Sequence, residues 1–166
     1  MKMLQTIPVK IAIRPIQDAS ESLWCAELMA SLDTWKKLKR DLDLTKKVFE
    51  NAEKEKYLIS IKNQPIGFLV IDMKGAFRGY IQSIGLVPEF QGKGLGSQII
   101  TFAESRIFEE SANVFMCVSS FNLKAKALYD RLGFETIGIL KDYVVKGHDE
   151  YLLRKSLGPV SDFKIK

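Results

Sequence analysis

Apolar positions recur along the chain with two periods, every second residue or every third to fourth, and the switches between them mark the elements. Val9, Ile11 and Ile13 alternate and predict a strand over residues 9–13. Asp18-Ala19-Ser20-Glu21 has the form of a capping box. It opens a helix that directs Leu23, Trp24, Leu28 and Met29 toward a core. Residues 31–43 read as a break with a short charged piece holding Trp35, Lys36 and Arg40. A second helix follows over residues 45–53, with Val48, Phe49 and Ala52 inward. Strands over residues 57–61 and 66–73 flank an Asn63-Gln64-Pro65 turn and predict a hairpin. Another strand runs over 80–87.

A helix over 95–108 carries Leu95, Ile99, Ile100, Phe102, Ala103, Ile107 and Phe108 on one broad face. The apolar run 114–118 reads as a buried strand. Asn122 is placed to cap a further helix, and Gly133 to end it. Strands over 134–140 and 150–153 are joined through Lys146-Gly147-His148. No repeat, low-complexity tract or linker interrupts this order. The expected fold is α+β: one mostly antiparallel sheet of about six to seven strands with about four helices. A single domain covers residues 1–157, with a loose lead-in over 1–6 and a polar tail over 158–166 that frays.

Bulk properties narrow the function. The 166 residues suffice for one core, and 46 % hydrophobic with 27 % charged content is ordinary for a globular protein. No apolar run approaches the roughly 20 residues that span a bilayer. The N-terminus lacks a signal-peptide core, so the expected location is cytoplasmic and no membrane partner is expected. Cys25 and Cys117 make neither a disulfide framework nor a metal set, and both are expected in the core. His148 is the single histidine, and no metal is expected. The net charge of +5 comes from basic residues interleaved with acidic ones. That distribution suits attraction of a polyanionic small cofactor better than a nucleic acid.

The stretch Gln91-Gly92-Lys93-Gly94-Leu95-Gly96-Ser97 lies between a predicted strand and a predicted helix. In that layout the free N–H groups of a helix start face an anion. Glycines let the anion approach and permit positive φ, and Lys93 adds charge. The spacing G-x-G-x-G departs from the dinucleotide fingerprint, and no P-loop pattern is present.

A third pattern fits. Gln91-x-x-Gly94-x-Gly96 after Leu86-Val87-Pro88 resembles the coenzyme-A pyrophosphate loop of the GNAT superfamily of N-acetyltransferases. Asn122-x-x-Ala125-x-x-Leu128-Tyr129 followed by Leu132-Gly133-Phe134 resembles that family's second cofactor motif. Together they span residues 80–134.

The resemblance implies an acetyl-CoA-dependent N-acetyltransferase acting by direct attack in a ternary complex. The acceptor is a primary amine of a small molecule or of a peptide or protein. It implies that the strand ending at Val87 bulges, with Gly85 suited to the bulge, and splays from its neighbour. The backbone of Gly85, Leu86 and Val87 then pairs with the pantetheine arm. The pyrophosphate rests on the amides of Gln91, Gly92, Lys93, Gly94, Leu95, Gly96 and Ser97. Asn122 bonds the arm, caps its helix, or does both. Tyr129 is the general acid beside the sulfur, since a phenol (pKa about 10) can protonate a thiolate (about 8.5).

Some family members carry a glutamate base on the strand before the phosphate turn; here that strand offers Tyr80, Gln82 and Ser83. The base is left to a water chain or to Asp33, Asp72, Asp142 or Glu150, and His148 reads as part of a solvated turn. The acceptor end falls to residues 31–43, the start of the Tyr80 strand and Asp142-Tyr143, with Trp35 and Tyr143 as candidate walls. A monomer or homodimer is expected. The rival reading is an acyl-CoA-binding sensor module of weak catalytic power.

Overall fold

The structure, a computed structural model, describes residues 9–165; the lead-in expected over residues 1–6 and the last residue of the tail lie outside them. Seven strands form one sheet: β1 (Ala12–Pro15), β2 (Glu55–Ile61), β3 (Gln64–Asp72), β4 (Tyr80–Leu86), β5 (Asn113–Ser119), β6 (Glu135–Val145) and β7 (His148–Ser156). Their spatial order is β1-β2-β3-β4-β5-β7-β6, and every neighbouring pair is antiparallel except β4 and β5.

Two faces are covered by different helices. On one lie α1 (Ala19–Ser31), the short α2 (Asp33–Lys37) and α3 (Leu42–Glu50). Cys25, Ala26, Leu28, Met29 and Phe49 from these helices pack on Leu58, Phe68 and Val70. On the other lie α4 (Leu95–Ile107) and α5 (Leu123–Arg131). There Ile99, Ile100, Ala103 and Ile107 meet Ile59, Leu69, Ile71, Val114 and Met116. Central β3 is buried from Ile66 to Ile71 because its alternate side chains enter both cores.

Local chemistry explains most boundaries. The Asp18 carboxylate accepts from the Glu21 N–H at 2.9 Å and starts α1. Leu23 is exposed rather than inward, and the buried face of α1 runs through Cys25, Ala26, Leu28 and Met29. Asp41 caps α3 by accepting from the Leu44 N–H, so that helix begins three residues before the expected start and leaves Ala52 exposed beyond its end. The β2–β3 hairpin turns on Lys62 and Asn63, both at positive φ, a two-residue loop matched to strand twist; Gln64 and Pro65 already belong to β3. The first strand starts at Ala12, later than the alternation suggested, and Val9 is exposed. The tail holds a 3₁₀ turn over Val160–Asp162.

Candidate active site

The sheet opens where β4 meets β5. The two strands pair only at Tyr80 with Phe115 and Ile81 with Met116. The next β4 residue, Gln82, is a bulge: Val70 pairs with Ser83 while Ile71 pairs with Ile81. Beyond it β4 follows β3 and leaves β5, which stays paired with β7 along its length. A cleft of about 850 Å³ occupies the gap.

The bulge therefore sits at Gln82, not at the expected Gly85. Gly85 is glycine for a different reason: a Cβ there would lie 2.4 Å from Phe68 Cζ and 3.0 Å from Leu32 Cδ1. The backbone beside the cleft also differs from expectation. Val87 N–H donates to Ile66 O at 2.8 Å, and Val87 O accepts from Phe90 N–H at 3.0 Å, so Val87 has no free backbone group. Alternate residues of a strand address opposite neighbours. Gly85 therefore faces β3 with Val87, while Leu86 and Ile84 turn their N–H groups to the open side. Leu86 O is already taken by Gln91 Nε2 at 2.9 Å. Ile84, absent from the expected set, offers both of its backbone groups.

One end of the cleft is made of backbone. Gly92 (φ 69°) and Gly94 (φ 77°) are left-handed, and nothing lies within 4 Å of the position a Cβ would take on either. Gly94 is the N-cap of α4; it brings no side chain to the free N–H groups, and no acidic residue stands in the first turn. Gly96 does a separate job, since its Cβ would meet Leu128 Cδ2 of α5 at 2.9 Å. Leu95 is buried in the core, and its side chain is not part of the cleft lining. Ser97 lines the cleft. Lys93 points over the Phe90 ring, 5.4 Å from its centroid, and its side chain is not part of the lining. Lys124 and Arg131 of α5, which sequence reasoning passed over, are exposed at the rim and supply positive charge.

The middle of the cleft holds Asn122 and Tyr129. Asn122 Oδ1 accepts from Ala125 N–H at 3.3 Å, capping α5 and leaving its Nδ2 unused there. Tyr129 packs edge-on to Phe134, with ring centroids 6.2 Å apart. Burial pushes its phenol up to about 12, with no hydrogen bond among the described residues contributing.

The other end is made of side chains from distant elements. Trp35 and the exposed Asp33 come from α2, Tyr80 and Gln82 from β4, Cys117 and Ser119 from β5, and Glu150 from β7. Tyr143 and Val144 reach it because β6 is irregular between Leu140 and Val145. Asp142 there has φ 49° and accepts from Gly147 N–H. Of the four carboxylates left open as bases, Asp72 is ion-paired with Lys54 away from the cleft and Asp142 is committed to its turn. Glu150 is 4 % exposed and lines the cleft. Cys25 is core, as expected, and burial pushes its thiol up to about 12. Cys117 instead borders the cleft, half-buried, and burial holds its thiol above the usual range. Among the described residues no group of His, Cys, Asp and Glu side chains is arranged to hold a metal, and no helix is long and apolar enough to cross a membrane.

A sheet split at its one parallel pair, with a glycine turn and an uncapped helix start at the mouth, defines an acyltransferase architecture. The profile of the acetyltransferase (GNAT) family matches residues 16–134, and the chain belongs to that family of N-acetyltransferases. Among curated proteins it is similar to the N-alpha-acetyltransferase RimI of Mycobacterium tuberculosis, at 29 % identity over 94 % of this chain and 98 % of that one. It is also similar to the N-alpha-acetyltransferase MAK3 of Arabidopsis thaliana, at 30 % identity over 59 % of this chain and 54 % of that one. Among solved structures, a GNAT-family acetyltransferase from Desulfovibrio desulfuricans superposes with a TM-score of 0.74 at 16 % identity, covering 90 % of this chain and all of that one. A spermidine N-acetyltransferase from Vibrio cholerae, solved with CoA and spermine, gives 0.68 at 17 % identity over 92 % and 97 % of the two chains. The two structures share the fold.

Proposed function

We propose that the protein transfers an acetyl group from acetyl-CoA to the α-amine of a peptide or protein, within one domain over residues 1–157. The observation that carries this is the continuous cleft, which joins an anion-ready helix start to an unpaired strand edge and then to an acceptor end.

The residues fit the cofactor. Gly92 and Gly94 leave open space where a diphosphate approaches, and the first N–H groups of α4 have no side-chain competitor. Helix-end electrostatics contribute roughly 0.3–1 kcal/mol, about 2 when partly buried. Lys124 and Arg131 add attraction at the rim. Ile84 and Leu86 offer backbone groups to the amide-bearing arm, strand to strand. Asn122 Nδ2 donates to the same arm while Oδ1 caps α5. Acetyl-CoA supplies the activated acyl carbon. Tyr129 donates its proton to the departing sulfur; a phenol held near 12 is protonated across the physiological range. The cofactor end and the acceptor end belong to one continuous cleft, so both substrates can be held together and the amine attacks the thioester directly.

The acceptor class follows from charge and pKa. The acceptor end carries Glu150 and Asp33 against Arg40, too few acidic groups for a polyamine. A peptide α-amine (pKa about 7.7–8.0) costs only about 1 kcal/mol to deprotonate at pH 7, against roughly 4–5 kcal/mol for a lysine-like amine. The relatives named N-alpha-acetyltransferases point the same way.

The test incubates protein and acetyl-CoA with free-N-terminus peptides, N-terminally blocked lysine peptides, and spermidine. Thiol release and product mass are followed. Transfer is expected to the first set. Transfer only to spermidine or blocked peptides overturns the acceptor class, and CoA binding without turnover on any amine overturns the enzymatic reading.

A further inference from the structure

Gln82 Oε1 is sealed from solvent and has no hydrogen-bond partner among the described residues. A buried acceptor left unpaired costs about 1–3 kcal/mol, so it calls for a donor. It belongs to the bulged residue, at the point where β4 turns from β5, and its side chain lines the cleft. Across the gap, Glu150 on β7 pairs in register with Ser119 on β5. Ser119 Oγ donates to Glu150 Oε1 at 2.6 Å and fixes the carboxyl group, while Oε2 makes no hydrogen bond among the described residues. The positions of β4 and β5 that line this end (Tyr80, Gln82, Cys117, Ser119) carry no carboxylate. Turned by 180° about its last side-chain bond, the Gln82 amide brings its oxygen to the cleft side, where it and the fixed Glu150 carboxylate match the N–H donors of a primary ammonium.

We infer that Gln82 and Glu150 form the cradle for the acceptor's ammonium group and that Glu150 is the base that takes its proton. This rests on the N-acetyltransferase reading and names the group that activates the acceptor. The step balances. One N–H bond of R–NH3⁺ breaks, its proton goes to Glu150 Oε2, and the freed lone pair forms the C–N bond as the C–S bond breaks. The sulfur takes the Tyr129 proton, and Tyr129 recovers one from the same nitrogen. Glu150 returns its proton to solvent past His148, which lies two residues away on the same face of β7. Burial raises the Glu150 pKa above the ordinary glutamate value, while Ser119 and His148 pull it back; a raised carboxylate is a better base. Tyr80, Cys117, Tyr143 and His148 are the other titratable groups around it.

The experiment compares wild type with Glu150→Gln and Gln82→Met. Glu150→Gln preserves shape and the partner for Ser119. For a free-N-terminus peptide it is expected to lower kcat by about 10²- to 10³-fold. The acid limb of kcat/KM should move from the Glu150 titration up to that of the peptide amine itself, about 7.7–8.0, and CoA affinity should stay within about twofold. Gln82→Met is expected to raise the peptide KM about tenfold, with kcat nearly unchanged. Peptide binding to the unreactive CoA complex, followed by calorimetry, should weaken in both variants and gives a readout independent of turnover. An active wild type with a Glu150→Gln variant that keeps kcat and the pH limb overturns the base while leaving the N-acetyltransferase reading intact. An unchanged KM in Gln82→Met overturns the cradle. A wild type that acetylates no amine, but whose CoA complex loses the peptide in both variants, overturns the enzymatic reading and upholds the cradle. No peptide binding in any form overturns both.

Discussion

The two ends of the cleft are built by opposite means. The mouth is backbone: left-handed Gly92 and Gly94, the uncapped start of α4, and the open edge of β4. All of it comes from about a dozen consecutive residues. The acceptor end is side chain, with Asp33, Gln82, Ser119, Tyr143 and Glu150 arriving from five separate elements. A backbone site recognises what every acyl-CoA shares, and its geometry tolerates side-chain change nearby. A side-chain site can be rebuilt by single substitutions. The cofactor end is therefore expected to be robust and general, and the acceptor end selective and fragile.

Substitutions test that contrast. The largest effect falls at the hinge between the two ends. Tyr129→Phe should reduce kcat by about 10²- to 10³-fold while CoA affinity stays within about twofold. Equal loss of turnover and CoA affinity would mean that the ring serves packing alone. Next comes the backbone end. Gly94→Ala forces a Cβ into the left-handed region at a cost of about 1–2 kcal/mol and should weaken CoA binding roughly tenfold, whereas Gly94→Asn should recover part of the loss. Calorimetric titration of the two variants decides it.

Gly85→Ala probes the wall rather than either end. Its Cβ would meet the Phe68 ring at 2.4 Å, so about 1–3 kcal/mol of stability should go, a fall in Tm of roughly 2–4 °C per kcal/mol. Thermal melts of that variant should show the fall even without CoA.

A smaller effect concerns pH. Burial raises the Glu150 pKa in the folded state, so the native protein holds the proton more tightly than the unfolded chain. Stability then falls as pH rises from the ordinary glutamate value through the raised one. Glu150→Gln should lack this loss, and the denaturant midpoints of the two proteins should separate over that window with the variant the more stable. The smallest effect is expected at Lys93→Ala, about two- to threefold in CoA affinity and erased by salt, because that ammonium lies over Phe90 outside the cleft lining.

The elements themselves were legible. Period-two and period-3.6 patterning placed six of the seven strands close to their observed ranges. Asp18 and Asn122 act as caps where their residue types predicted. The short α2 reads as a charged break in sequence because five residues give no periodicity to detect. Asp41, not the Thr45 region, caps α3, so the helix starts earlier than its apolar pattern suggests. The expected bulge at Gly85 failed for an instructive reason. Glycine in a strand signals either irregular backbone or close approach, and only the Phe68 ring shows that it is the latter.

What the sequence determined alone is whatever a few neighbouring residues impose on their own backbone: the Asp18 and Asn122 caps, the glycine approach to α4 and the apolar face of α4. The tertiary structure decided the rest. Gln82 enters the cleft because an extra residue in β4 breaks its ladder with β3. Glu150 stands beside Ser119 because β5 and β7, about thirty residues apart in sequence, settle into one register. A slip of one residue there would send the carboxylate to the opposite face. Register is fixed by the packing of two whole cores at once, and no short stretch of the chain encodes it.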